Sequence, residues 1–160
     1  MDLKFKVMIR VGRPVDEVFE AVADPKQLSS YFTTGGASGR LEAGKTVTWD
    51  FHDFPGAFPV EVDEVVPNER IVLRWEAAEG DQLSGGAIDI KPAGYQTTVT
   101  MSFTPTDDGR TLVEIEERGW RDTAAGLQAS YGNCMGWSQM LAALKMWVEH
   151  RINLRDGAYK

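Results

Sequence analysis

The sequence predicts an α+β domain in which a curved antiparallel sheet wraps around a long C-terminal helix. Three observations carry this reading. Apolar and polar residues alternate in a succession of short segments, two brief helical patterns follow the first of those segments, and residues 133–155 hold helical spacing without a proline. A chain of 160 residues is long enough to bury one hydrophobic core, and one domain spanning residues 1–160 is expected.

The elements follow in order. Leu3, Phe5, Val7, Ile9 and Val11 alternate with Lys4, Lys6 and Arg10, the period-two pattern of a half-buried strand. Pro14 and Asp16 open a helix whose Val15, Val18, Phe19 and Val22 recur at helical spacing, and Asp24-Pro25 ends it. A second short helix is predicted over residues 25–32, broken afterwards by Gly35, Gly36 and Gly39. Val47, Trp49 and Phe51 then share one strand face. A turn at Pro55-Gly56 leads to Phe58, Val60 and Val62, and Pro67-Asn68 turns the chain into Ile71, Leu73 and Trp75. Val99, Met101 and Phe103 oppose Thr98, Thr100, Ser102 and Thr104; Asp107-Asp108-Gly109 is a hairpin signal, and Val113 and Ile115 continue the apolar face. Residues 77–96, with Gly80, Gly85, Gly86 and Gly94, read as a long loop in which Ala87, Ile88 and Ile90 mark a brief strand.

Alternation in every strand leaves one face to be covered, and the C-terminal helix is the cover. With Asn133 as N-cap and Gly157 as stop, Trp137, Leu141, Leu144, Val148 and Ile152 form one stripe, flanked by Met140, Ala143 and Trp147. Such a helix runs roughly 30 Å at about 1.5 Å per residue, enough to cross a small sheet.

Composition narrows the partners. Hydrophobic and charged fractions of 42% and 26% are those of an ordinary globular protein. A formal net charge of −7 disfavours nucleic acid and anionic membrane surfaces, which attract basic footprints. One cysteine, Cys134, rules out an internal disulfide, and the N-terminus carries no continuous apolar run; a cytoplasmic location is expected. Monomer and homodimer are both open.

A sheet closing on a helix encloses a volume, and the inward phase defines candidate residues for a ligand cavity: Trp49, Phe51, Val60, Val62, Leu73, Trp75, Met101, Phe103, Ile115, Trp137, Met140, Leu141 and Leu144. The same side chains also serve as ordinary core. Counting onward by twos brings three carboxylates into the inward phase: Asp53, Glu64 and Glu117. A carboxylate among apolar groups has its ionised form disfavoured, which fits it for acid–base work or for anchoring a ligand; at a strand end it is simply solvated. His52 and His150 make no metal-ligand spacing with Cys134, so no metal and no cofactor is expected. At a helix N-terminus the Cys134 thiol would be acidified, although a buried small hydrophobe is the simpler role. Tyr31, Phe32, Trp120 and Tyr131 lie where a cavity would open.

Arg13-Pro14-Val15-Asp16-Glu17-Val18-Phe19-Glu20-Ala21-Val22-Ala23-Asp24-Pro25 resembles the opening of the START-related, helix-grip superfamily, in particular proteins similar to the ATPase activator of a major heat-shock chaperone. Val65-Val66-Pro67-Asn68-Glu69-Arg70-Ile71-Val72-Leu73-Arg74-Trp75 and Gly132-Asn133-Cys134-Met135-Gly136-Trp137 are similar to the same group, whose Gly-Trp pair marks the start of the gripping helix. The resemblance implies the helix-grip fold and an internal site for a small, largely apolar or amphipathic molecule; the count along the strand adds Glu117 to its candidate lining. Two other roles are compatible with it: a cyclase or hydrolase acting on a polyketide-like substrate, and a chaperone-partner module.

Overall fold

The computed structural model describes residues 1–51, 54–82 and 88–158, with side chains described for 1–51, 56–80 and 91–158. His52, Asp53, Gly85, Gly86 and Ala87 therefore lie outside the described residues. The elements run β1 (Leu3–Val11), α1 (Val15–Ala23), α2 (Pro25–Tyr31), β2 (Gly36–Ser38), β3 (Thr46–Phe51), β4 (Phe54–Val66), β5 (Arg70–Gln82), β6 (Ile88–Pro105), β7 (Thr111–Trp120) and α3 (Ala124–His150). All seven strands form one antiparallel sheet in the order β1-β7-β6-β5-β4-β3-β2, and α3 packs across it. This is the helix-grip architecture that the alternation predicts.

Local chemistry explains the first elements. β1 buries Leu3 and Val11 and turns Lys4, Lys6, Met8 and Arg10 to solvent. Pro14 sits just ahead of α1, where its missing N–H costs nothing, and Asp16 and Glu17 follow in the first turn, where the helix dipole favours acids. Asp24 ends α1 and starts α2: its side chain accepts a hydrogen bond from the Lys26 N–H at 3.0 Å, and Pro25 takes the first helical position. The buried Tyr31 hydroxyl donates to the Ala21 carbonyl at 2.9 Å, tying α2 back onto α1. This elbow aims Phe32 under the sheet.

Four features depart from the sequence expectation, each for a local reason. α3 begins at Ala124, nine positions before Asn133, with Thr123 as N-cap accepting from the Gly126 N–H at 3.0 Å. Residues 124–132 lack a strong apolar stripe, so periodicity does not reveal them, although Ala124, Ala125, Leu127, Gln128 and Ala129 are good helix formers. At its other end the helix stops at His150, with Arg151 in the left-handed conformation (φ 57°), so Ile152 lies beyond it and is exposed rather than on the stripe.

The second departure is residues 77–96, which are mostly strand. Ala78 pairs with Pro92 and Gln82 with Ile88, after a register shift between Glu76 and Ala78. Backbone pairing carries this extension, whose sequence alternates only briefly, at Ile88 and Ile90. Third, Pro55-Gly56 lies inside β4 rather than in a turn, beside a register shift at Asp50/Phe51. Fourth, a bulge between Val62 and Glu64 inserts Asp63 and reverses the phase of the rest of β4.

The core lies between the concave sheet face and the helix. Val11, Val18, Ala21, Trp49, Val60, Ile71, Leu73, Val99, Ile115, Ala143 and Leu144 are wholly buried in it. Full burial of an aliphatic side chain contributes about 1.5–3 kcal/mol, so this cluster is the principal stabilising feature. Beyond α3 the chain folds back, and the Arg155 guanidinium sits over the rings of Phe32 at 5.6 Å and Phe51 at 5.8 Å, only 8% exposed. A smaller cluster joins Leu3, Ala77 and Trp120 at the far end of the sheet.

Candidate functional site

Among the described residues the charged side chain buried deepest in the grip is Glu117, on β7. It occupies an inward position because β7 alternates without interruption as far as this residue: Thr111, Val113, Ile115 and Glu117 are all buried. Its hydrogen-bond partners come from β5, β6 and α3. The Trp75 indole on β5 donates to Oε1 at 2.9 Å, and the Thr97 hydroxyl on β6 donates to Oε1 at 2.7 Å. From α3, the Trp137 indole donates to Oε2 at 2.7 Å, while the Asn133 amide reaches Oε1 at 3.0 Å and Oε2 at 3.2 Å. Asn133 and Trp137 meet the same carboxylate because they stand four positions apart on one helix face.

All four donors are neutral. Burial pushes the Glu117 carboxyl above its ordinary value of 4.5, and the hydrogen bonds from Thr97, Trp75, Trp137 and Asn133 pull it back. A ring of donors alone matches an ionised carboxylate, since a protonated acid would point its own hydrogen at other donors.

Around this centre the aromatic side chains form a continuous cluster. Trp75 and Trp137 lie 5.5 Å apart between ring centroids, and Trp49 meets Trp75 edge-on at 5.8 Å and Trp137 at 6.4 Å. Phe32 touches Trp49 at 5.5 Å, Trp137 at 5.4 Å and Phe51 at 5.1 Å. These are the tilted and edge-to-face geometries that aromatic pairs prefer. The expected apolar cavity coincides with rings already in contact. The buried Trp49 indole N–H has no hydrogen-bond partner among the described residues, an orphan donor within the cluster.

The inward phase thus places Trp49, Phe51, Val60, Val62, Leu73, Met101, Phe103, Ile115, Glu117, Trp137, Met140, Leu141 and Leu144 in the interior, with Trp75 half-buried at its margin. Glu64 does not join them. The Asp63 bulge turns it outward, where it pairs with Arg70. Asp53 lies outside the described residues. Cys134 is half-buried in the body of α3, not at the helix N-terminus where the sequence placed it. Phe32 is in the aromatic cluster, Tyr31 and Trp120 are buried, and Tyr131 is 59% exposed on the outer side of α3. His150 is the exposed last residue of that helix. Sequence reasoning placed Trp75 and Trp137 inward with Glu117 but missed its other two partners, Thr97 and Asn133. Thr97 shares the inward phase of Val99 and Met101, and Asn133 precedes Trp137 by one helical turn; those two spacings were the available signal.

Two surface concavities, of about 420 and 400 Å³, draw on none of the inward residues. The first lies between α1, α2 and the end of α3, lined by Asp16, Glu17, Glu20, Gln27 and Arg151 among others. Among the described residues no cluster of three His, Cys, Asp or Glu side chains could hold a metal ion, and no helix is long and apolar enough to cross a membrane.

The sheet order and the gripping helix place the chain among helix-grip proteins, and the comparisons agree. The profile of the family described as "Activator of Hsp90 ATPase homolog 1-like protein" matches residues 13–149. The chain belongs to that family. Solved structures share its fold. Protein SSP2350 from Staphylococcus saprophyticus superposes with a TM-score of 0.72 at 23% identity, covering 96% of each chain. DynU16, from the dynemicin biosynthetic locus, gives 0.71 at 25% identity over 92% of this chain and 48% of its own. The Aha1 dimer from Colwellia psychrerythraea gives 0.69 at 16% identity over 92% of this chain and 97% of its own. No functionally curated protein matches the sequence.

Proposed function

We propose that the chain binds a small, largely apolar or amphipathic molecule between the sheet and the first half of α3, at the aromatic cluster around Glu117. The observation that carries this reading is the carboxylate itself. A buried anion whose four hydrogen-bond partners are all neutral is a poor way to stabilise a core, and hydrophobic side chains of similar volume usually serve as well or better. Few, convergent polar groups inside an aromatic interior are instead the composition of a ligand site. The orphan Trp49 N–H in the same cluster supports the reading, as does the similarity to a protein of the dynemicin biosynthetic locus.

The hydrogen bonds around Glu117 favour an anchor over a proton-transfer group. Five donor contacts fall on its two oxygens, an arrangement that suits a carboxylate kept as an acceptor for donors rather than one that hands on a proton. A cyclase or hydrolase role has less support for that reason.

Native mass spectrometry of protein purified from its own host, followed by extraction and identification of any bound compound, tests the proposal. A stoichiometric small molecule whose removal lowers Tm is the expected result, since binding to the folded state stabilises it by mass action. A clean apo mass, with no thermal shift across lipids and aromatic polyketides, would overturn it. Recovery of a chaperone with stimulated ATP hydrolysis would redirect it to the partner role.

A further inference from the structure

The two oxygens of Glu117 answer to different parts of the fold. Among the described residues Oε2 accepts only from α3, through Trp137 at 2.7 Å and Asn133 at 3.2 Å. Oε1 keeps two donors on the sheet, Trp75 and Thr97, besides Asn133. The rings of Trp49, Trp75 and Trp137 are already in contact, so a guest at this place must part the helix from the sheet. That movement takes both donors from Oε2 while the sheet still holds Oε1. A buried carboxylate oxygen stripped of its donors is strongly disfavoured, so the entering molecule must itself replace them.

Resting on the binding role proposed above, we infer that the site selects aromatic ligands carrying a hydrogen-bond donor, a hydroxyl or an ammonium group, and rejects aromatic carboxylates. The donor takes the place that Trp137 and Asn133 vacate on Oε2, and the apolar body stacks among the three indoles. An anionic group there would face Glu117 across a medium that screens poorly and would bring no donor. A cationic donor gains further, because the carboxylate's present partners are all neutral and indole faces attract cations. The segment that must move is suited to it. Its face toward Glu117 is held by Asn133 and Trp137, and Gly126, Gly132 and Gly136 interrupt it, each a poor helix former.

Titration calorimetry at pH 7 with 2-naphthol, 2-naphthylmethylamine and 2-naphthoate separates the possibilities. The two donors are expected to bind at least tenfold more tightly than the carboxylate, and Glu117→Gln should reduce that gap to less than threefold. Should Glu117→Gln fail to fold, Asn133→Ala provides the second reading. Removing one competing donor eases opening for every guest, so it should tighten 2-naphthol severalfold while 2-naphthoate stays at least tenfold weaker. Equal affinities for all three probes, or a preference that survives Glu117→Gln, would overturn the donor rule while leaving the binding role standing. Absence of binding by any probe would overturn both.

Discussion

The two halves of α3 are held by different kinds of force. From Trp137 onward the helix buries Met140, Leu141, Ala143, Leu144 and Val148 against the sheet, an apolar seam that no single contact dominates. Between Ala124 and Gly136 its buried positions are Gly126 and Ser130 alone, while Leu127, Tyr131 and Met135 face solvent. Directional hydrogen bonds to Glu117, from Asn133 and from Trp137 at the junction, carry much of what binds this half to the sheet. An apolar seam resists opening in proportion to its area, whereas a polar latch releases when one carboxylate finds other donors. One helix therefore grips the core at one end and can yield at the other.

The largest expected effect tests the seam. Leu144→Ala deletes a wholly buried side chain and should cost about 3 kcal/mol of global stability, read as a lowered urea midpoint with an unchanged slope. A loss below about 1 kcal/mol would mean that the seam is loosely packed and that the contrast between the halves is weak.

A subtler change concerns the latch and pH. The folded state holds the Glu117 carboxyl above its ordinary value of 4.5, so between 4.5 and that raised value the folded chain binds more protons than the unfolded one. The contribution of Glu117 is therefore greatest below 4.5 and declines as pH rises through the raised value. Unfolding of the wild type and of Glu117→Gln compared from pH 4 to 8 should show the wild type losing ground to the variant as pH rises. A flat difference curve would mean that the four donors cancel the effect of burial.

The smallest effect has the opposite sign. A Cβ at Gly132 meets nothing within 4 Å, so Gly132→Ala should stabilise the helix by about 0.5–1 kcal/mol. Hydrogen exchange should place that gain in the amides of residues 124–136. The same substitution at Gly126 is unsuitable, because a Cβ there would collide with the Arg121 carbonyl oxygen.

How much of this was legible before the structure depended on the kind of signal. Alternation at Val99, Met101 and Phe103, and helical spacing at Leu141, Leu144 and Val148, are imposed by burial, so the sheet and the seam could be read directly. The first half of α3 and the extension of β5 and β6 bury little, and their sequences leave little period behind. Glu117 could be found by counting along β7, since the register shift in that strand, at Gly119, comes only after it. The same counting failed at Glu64, where one inserted residue, Asp63, changes the face. The donors to Glu117 belong to three other elements, and no local pattern announces that Asn133 and Trp75 share an acceptor.

Arg155 extends the working interior beyond the last turn of the helix. The four positions before it, from Arg151 to Leu154, are exposed, and a basic residue followed by an accessible linker is what trypsin-like proteases attack. A cut after Arg151 would spare every strand and helix and yet strip the guanidinium from the rings of Phe32 and Phe51. Material clipped there would pass for intact by circular dichroism while carrying an altered aromatic interior, so the mass of the C-terminal peptide is the quality check that any ligand screen on this protein needs.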